Sequence, residues 1–148
     1  MVRLSQVHDT NKQGLVTLLI ELARQKSVSG YVEEGQNRWS AAHISDVADV
    51  YLRALEKNSP NSRYHAVTEE GIPMCTLAEV IGYILNVSVK RIATQDAKEH
   101  FGWMSLLIDH DMSASSTLTR ERLAWQPTGP ALIEDLLKIR SVSNNSAV

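Results

Sequence analysis

Apolar residues recur every three to four positions in six stretches of the chain, which is the spacing of a helix with one buried face. The clearest stripe runs from Leu77 to Leu85. Thr76 and Glu79 at its start have the pattern of a capping box, in which each side chain bonds a free backbone amide. The predicted helices lie near residues 15–26, 45–57, 76–85, 94–108, 116–124 and 130–140.

Short stretches between these helices predict the strands of a mixed α/β fold. Residues 38–43 alternate with period two, so Trp39, Ala41 and His43 are predicted to share one side. Glycine and asparagine in residues 33–37 tolerate positive φ, which predicts a turn and a hairpin of the strands around it. The other predicted strands are residues 1–4, 28–32, 63–67 and 87–92, and the polar residues 5–13 and 68–74 are predicted as loops.

The strand at residues 38–43 leads directly into a predicted helix, and such a junction often borders a ligand cleft. Ser45 or Asp46 offers a side-chain oxygen that would cap the first amides of this helix, with a catalytic acid as the second interpretation of Asp46. His43 has two interpretations, a ligand-facing residue or a structural hydrogen-bonding residue. Trp39 is equally consistent with a pocket wall and with plain core.

Composition narrows the classes of protein that fit. The chain has 148 residues, 43% hydrophobic and 22% charged, with a formal charge of -2. One domain over residues 1–140 is expected, followed by a disordered Ser/Asn-rich tail at 141–148. The charge gives no reason to expect a nucleic-acid or membrane partner. A single cysteine, a polar start and short apolar runs fit a cytoplasmic protein without a membrane span. His8-Asp9 and His110-Asp111 lack the spacing of metal ligands, so no metal is expected.

Several motifs, in order along the chain, resemble the C-terminal half of the extended or atypical short-chain dehydrogenases/reductases, the NAD(P)-dependent epimerase/dehydratase family. The resemblance implies the substrate-binding half of a Rossmann-type fold. It covers the chain from Arg3 to about Leu137. The segments that carry it are Gly30–His43, Asp46–Ala48, Arg63–Val67, Thr76–Ile84, Leu123–Pro127, and Arg3–Leu4 with Val7–His8.

Departures from the family pattern are as informative as the matches. The seven glycines form no fingerprint that would let a backbone approach a pyrophosphate. Each tyrosine lacks the family's lysine four residues later. Trp39 stands where nucleotide-sugar enzymes of the family often place a diphosphate-binding arginine. Arg38 is one position away, so strand alternation points it to the opposite face. A smaller or more apolar carbonyl compound is therefore expected as substrate.

The sequence thus predicts a truncated homologue that keeps the substrate-binding lobe but has no catalytic pair and no cofactor-binding residues. Such a chain should be inactive alone and should bind no cofactor, whereas full-length relatives would use NAD(P). The predicted substrate-binding residues are Trp39, His43 and Trp103. The alternative is a non-catalytic interaction module that pairs through exposed apolar helix faces. Its partner would be a second copy or a complementary cofactor domain.

Overall fold

The computed structural model describes residues 1–145, with side chains to residue 140. It contains seven strands and six α-helices in mixed order, which confirms the predicted α/β class. Two 3₁₀ turns, Thr94–Asp96 and Gly102–Leu106, flank the fourth helix. The strands are β1 Val2–Leu4, β2 Gln6–His8, β3 Val28–Val32, β4 Arg38–His43, β5 Tyr64–Ala66, β6 Glu69–Pro73 and β7 Ser88–Ile92. The helices are α1 Leu15–Lys26, α2 Ile44–Lys57, α3 Met74–Leu85, α4 Ala97–Phe101, α5 Thr117–Leu123 and α6 Leu132–Asn145.

The strands form three small sheets that are mostly parallel. One pairs β1 with β5, one has the order β2-β4-β6, and one pairs β3 with β7. Among the strand pairs of residues 1–145, only β4–β6 is antiparallel. In the second sheet β2 and β4 end together, with His8 opposite His43. Their side chains therefore meet at one edge of that sheet.

The predicted hairpin is wrong, because β3 and β4 belong to different sheets. The turn between them is instead tied to β7. The Glu33 carboxylate accepts hydrogen bonds from Arg91, at 2.6 Å, and from the backbone and hydroxyl of Thr94. These contacts hold β3 beside β7, which lies about sixty residues later in the chain. The two predicted loops are also partly wrong, since they contain β2 and β6.

The start of α3 and the length of the fourth predicted helix differ from the prediction. Helix α3 begins at Met74 without a side-chain cap, and the Met74 amide donates to the carbonyl of Asn37. The capping box at Thr76 is therefore not used. The helix predicted over residues 94–108 is interrupted at Gly102, whose φ of 59° belongs to the left-handed region. Helix α2 spans the predicted residues and ends at Lys57.

Two hydrophobic clusters hold the elements together. The larger packs α1, α3 and α6 around the centre of β4 and includes Trp39, Leu77 and Leu136. The smaller lies between the β1–β5 pair, α2 and α5, and includes Val50 and Trp125. Helix α6 extends to Asn145, into the segment for which a disordered tail is predicted. Residues 146–148 lie outside the described residues, so the prediction for them stays a prediction.

Candidate functional site

A buried polar cluster occupies the edge where β2 and β4 end. Nδ1 of His8 lies 2.6 Å from Oδ2 of Asp135, which reaches in from the first turn of α6. Nε2 of His43 lies 3.8 Å from the same carboxylate oxygen. The two imidazole rings meet edge to face with centroids 5.5 Å apart. His8 and Asp135 are fully buried, so the cluster fixes the start of α6 against the sheet.

His43 caps α2, where the sequence predicts Ser45 or Asp46. Its Nδ1 accepts a hydrogen bond from the backbone amide of Ser45. Because His43 is the cap, the Asp46 side chain is not needed to cap α2 and makes other hydrogen bonds. The Asp46 carboxylate accepts from the backbone amides of Thr128 and Gly129, and from the hydroxyl of Thr68 at 3.3 Å. Asp46 therefore anchors the loop before α6, and its predicted role as helix cap is wrong.

The neighbourhood of Gly129 shows how closely this loop approaches the strand end. A Cβ added at Gly129 would lie 2.7 Å from the Cβ of His43 and 2.9 Å from Oδ2 of Asp46. No real side chain fits at such distances without displacing its neighbours. The loop thus packs directly against His43. His8 and Asp135 are buried in this cluster, whereas the His43 side chain keeps 18% of its exposure.

Trp39 is fully buried, at 0% exposure, in the larger hydrophobic cluster. The segment around Met112 covers it. The Ser40 amide donates to the Met112 carbonyl at 3.1 Å, and the Met112 amide donates to the Arg38 carbonyl at 2.7 Å. These two bonds lay the segment along β4 like a further short strand. In the structure Trp39 is a core residue, and its contact with substrate stays a prediction.

Trp103 lies on a different face and is 60% exposed. It borders a groove of about 410 Å³ beside α1, together with Leu22, Lys26 and His100. Burial, followed by the nearby ammonium of Lys26, lowers the pKa of His100 below its usual value. The three predicted substrate-binding residues are therefore not brought together. One is in the core, one is at the strand edge and one borders this groove.

A cleft that the sequence does not single out lies between β1, β5 and residues 112–114. Its volume is about 410 Å³. Its polar lining combines a guanidinium, three hydroxyls, an amide and an imidazole, and no carboxylate lines it. These residues are Arg3, Ser5, Gln6, Ser40, His65 and Ser113.

The hydrogen bonds of His65 define what it offers to this cleft. Its Nδ1 lies 3.0 Å from the backbone carbonyl of Ser115, which can only accept, so Nδ1 carries a proton. In the neutral ring Nε2 then keeps a lone pair. The cleft thus presents the guanidinium of Arg3 and the hydroxyl of Ser40 as donors. The hydroxyls of Ser5 and Ser113 already donate to the Ala66 carbonyl and the Asp111 carboxylate. With Nε2 of His65 as an acceptor, this lining suits a small polar molecule with carbonyl and hydroxyl groups. The only signal in the sequence is the resemblance of Arg3–Leu4 to the strand beside the nicotinamide.

The fold family implies a dinucleotide, and the residues of this chain do not fit one. A pyrophosphate binds to free amides at a helix N-terminus. At α1 those amides are taken by the side chain of Gln6 and the carbonyls of Gln13 and Gly14. At α2 and α3 they are taken by His43 and by carbonyls of residues 35 and 37. At α6 the Leu132 amide donates to Glu69.

No group of three or more His, Cys, Asp or Glu side chains in residues 1–145 is arranged to hold a metal ion. No helix in the same part of the chain is long and apolar enough to cross a membrane.

No protein-family model matches the sequence. An uncharacterized protein of Schizosaccharomyces pombe is 42% identical over 130 residues, which are 88% of this chain and 44% of that protein. An uncharacterized protein of Saccharomyces cerevisiae is 41% identical over 130 residues, again 88% of this chain and 44% of that protein. The chain therefore spans less than half the length of these curated relatives.

Solved structures of nucleotide-sugar enzymes superpose on nearly the whole chain. A dTDP-glucose 4,6-dehydratase of Streptomyces venezuelae, determined with NAD and TYD, has a TM-score of 0.68 and 15% identity. It covers 99% of this chain, which corresponds to 44% of that enzyme. A UDP-glucose 4-epimerase of Thermotoga maritima, determined with UDP-glucose, has a TM-score of 0.63 and 17% identity, with 99% and 46% of the two chains covered.

The chain has the fold of part of an epimerase/dehydratase-type short-chain dehydrogenase/reductase. This confirms the fold expected from the resemblance, including its coverage of about half of such an enzyme. The strands β1 and β5 are neighbouring and parallel, as strands of a Rossmann-type sheet are. The cleft lined by Arg3 and His65 lies against that pair. Ligands of such sheets bind outside the carboxyl ends of the strands.

Proposed function

We propose that this chain is the substrate-binding half of an NAD(P)-dependent carbonyl reductase or epimerase-type protein. The proposal rests mainly on the structural match, in which this chain covers 44% and 46% of the length of two enzymes of this class. The parallel pairing of β1 with β5 agrees with it. A two-stranded parallel sheet is one part of a larger sheet in this class of fold. The sequence has no glycine fingerprint that could bind the dinucleotide, so we assign the cofactor to another half.

The proposed substrate site is the cleft lined by Arg3, Ser40, His65 and Ser113. Arg3 is exposed and makes no ion pair with any described residue, so its guanidinium is available to a carbonyl or carboxylate oxygen. Nε2 of His65 would accept from a hydroxyl. A compact carbonyl compound fits better than a nucleotide sugar. The reason is that Trp39, at the position of the family's diphosphate-binding arginine, is fully buried in the core, and the Met112 segment pairs beside it.

The chain alone should not catalyse hydride transfer. The family uses a tyrosine and a lysine four residues later for proton exchange with the substrate oxygen. The four tyrosines here are followed at that distance by Gly35, Leu55, Thr68 and Val87. The chain is therefore expected to select and orient a substrate, while the dinucleotide and the proton donor come from the other half.

Amide chemical shifts test the proposed substrate site. Small ketones and aldehydes should shift the amides of residues 3–6, 40 and 112–114 in a saturable way, and UDP-glucose should leave them unchanged. Arg3→Gln should weaken this binding several-fold. Arg24→Gln, an equally conservative change at an exposed arginine of α1, should not. Saturable binding of UDP-glucose, or shifts confined to other residues, would refute the proposal.

A second function is favoured by the outer face of α2, where Tyr51, Leu52 and Leu55 are exposed. An exposed apolar stripe of this kind marks an interface. In this reading the chain is a non-catalytic module that pairs with itself or with a cofactor domain. Sedimentation at several protein concentrations separates a self-associating chain from a monomer.

A further inference from the structure

A second groove shares the His65 side chain with the substrate cleft. It lies between the start of β5 and helix α5 and has a volume of about 320 Å³. Its lining combines two guanidiniums, an imidazole, hydroxyls and one leucine, and no carboxylate of residues 1–140 lines it. The main lining residues are Arg63, His65, Ser115, Thr117, Leu118 and Arg122.

The two guanidiniums of this groove are unpaired. Six of the nine arginines of the chain are held by ion pairs, hydrogen bonds or an aromatic ring. Within residues 1–140 no group bonds the guanidinium of Arg63 or Arg122, and both side chains are exposed. The remaining arginine is Arg3 of the substrate cleft. A cleft lined by charges of one sign raises the local concentration of ions of the opposite sign. This groove therefore attracts anions.

Hydrogen bonds fix the two sides of the groove relative to each other. The backbone amide of His65 donates to the hydroxyl of Thr119 at 2.7 Å, and Nδ1 of His65 donates to the carbonyl of Ser115 at 3.0 Å. On α5, Leu118 and Arg122 are four residues apart and so lie on the same face of the helix. The backbone positions of the lining are thus set before any ligand binds.

The lining groups favour a phosphate over other anions. Guanidinium N–H groups match the oxygens of a phosphate in pairs. A phosphomonoester carries a charge of about −1.5 to −2 at pH 7, which balances the charges of Arg63 and Arg122. The hydroxyls of Ser115 and Thr117 lie 3.0 Å apart, so one donates to the other and the second hydrogen is left for a ligand.

Leu118 and the size of the groove indicate what the phosphate is attached to. The Leu118 side chain is 58% exposed and gives the groove an apolar wall beside the arginines. The volume is near the lower end of the range for small-molecule sites, about 300–1,000 Å³. A small organic group therefore fits beside the phosphate, and a stretch of polypeptide does not.

We propose that the groove between β5 and α5 binds a small phosphomonoester, with Arg63 and Arg122 on the phosphate and Leu118 against the organic group. This site is separate from the substrate cleft lined by Arg3, and the inference does not depend on the proposed function.

Amide chemical shifts of the purified chain test the proposal, with phenyl phosphate as the probe. We expect saturable shifts at residues 63–65, 115–119 and 122, with a dissociation constant of about 1 mM or below. Inorganic phosphate should bind at the same residues but more weakly, because it has no group to contact Leu118. Phenol has no charge and should leave these residues unchanged. A peptide with one phosphoserine should bind no more tightly than phenyl phosphate.

Matched variants locate the site. Arg63→Gln and Arg122→Gln should each weaken the binding of phenyl phosphate about tenfold, as expected for the loss of a charge-assisted hydrogen bond. Neither guanidinium is bonded in the free chain, so the melting temperature should stay unchanged. Arg3→Gln removes the same charge from the neighbouring cleft and should not weaken this binding. Leu118→Ala should weaken phenyl phosphate but not inorganic phosphate.

Three outcomes would overturn the inference. They are no saturable shift with phenyl phosphate up to about 10 mM, equal weakening by Arg3→Gln and Arg63→Gln, or a phosphoserine peptide that binds at least about tenfold more tightly than phenyl phosphate. The failure of this inference is distinguishable from that of the substrate site. Ketone binding that depends on Arg3, without phosphate binding, would refute only the phosphate groove, and the reverse result would refute only the substrate site.

Discussion

Replacing Asp135 with alanine tests whether the buried polar cluster holds α6 in place. The carboxylate is fully buried and lies 2.6 Å from Nδ1 of His8. Removing one partner of a buried, hydrogen-bonded pair costs about 3–5 kcal/mol, because the other partner is left without compensation. Nε2 of His8 already has no hydrogen-bond partner among the described residues, so the variant would orphan both ring nitrogens. We expect the free energy of unfolding to fall by about 3 kcal/mol.

Urea denaturation followed by tryptophan fluorescence measures this change. Glu134→Ala is the matched control, since Glu134 also lies in the first turn of α6 but is exposed. It shares any helix-dipole contribution and should cost at most about 0.5–1 kcal/mol. Asp135→Asn keeps an oxygen that can accept from His8 and should cost less than the alanine variant.

A double-mutant cycle with His8→Ala completes this test. Because His8 and Asp135 are in direct contact, the two substitutions should be non-additive by about 2 kcal/mol. Additive effects, or a loss below about 1 kcal/mol for Asp135→Ala, would refute the reasoning that this pair anchors the helix.

Three further predictions concern other parts of the fold. The Arg91 guanidinium, followed by bonds from Thr94, lowers the pKa of Glu33 from 4.5 to about 2, so its stabilising effect is present above pH 4.5 and lost towards pH 2. Glu33→Gln should therefore flatten the pH dependence of unfolding in that window, unlike Glu34→Gln. Gly129→Ala should cost about 1–3 kcal/mol in urea denaturation, because its Cβ would overlap His43. Trp103→Phe should remove most of the acrylamide-quenchable fluorescence, and a quenchable signal that survives would contradict the exposure of Trp103.

The sequence predicted correctly those helices and strands whose signal lies within their own residues. Helix α2 and strands β3 and β7 follow from apolar periodicity and β-branched residues. Strand β6 was not predictable, because Glu69–Pro73 is polar and pairs only by lying antiparallel to β4. The pairing of β3 with β7 depends on contacts across about sixty residues, and a turn between β3 and β4 carries no information about it.

The candidate site was harder to predict than the fold. His8 and Asp135 are 127 residues apart, and neither has a neighbour in sequence that indicates the other. The cap of α2 was missed because histidine is not among the usual capping residues, whereas Ser45 and Asp46 are. The cleft beside Arg3 joins four separate segments, so only the family resemblance pointed towards it.

Calorimetric titration of the purified chain with NADH and with NADPH tests the central claim most directly. First amides of α1, α2, α3 and α6 donate to carbonyls and side chains of the chain itself, and the glycine fingerprint is absent from its sequence. We expect no saturable binding with a dissociation constant below about 1 mM. Saturable binding of either dinucleotide in the micromolar range would contradict it, because the chain would then contain a cofactor site of its own.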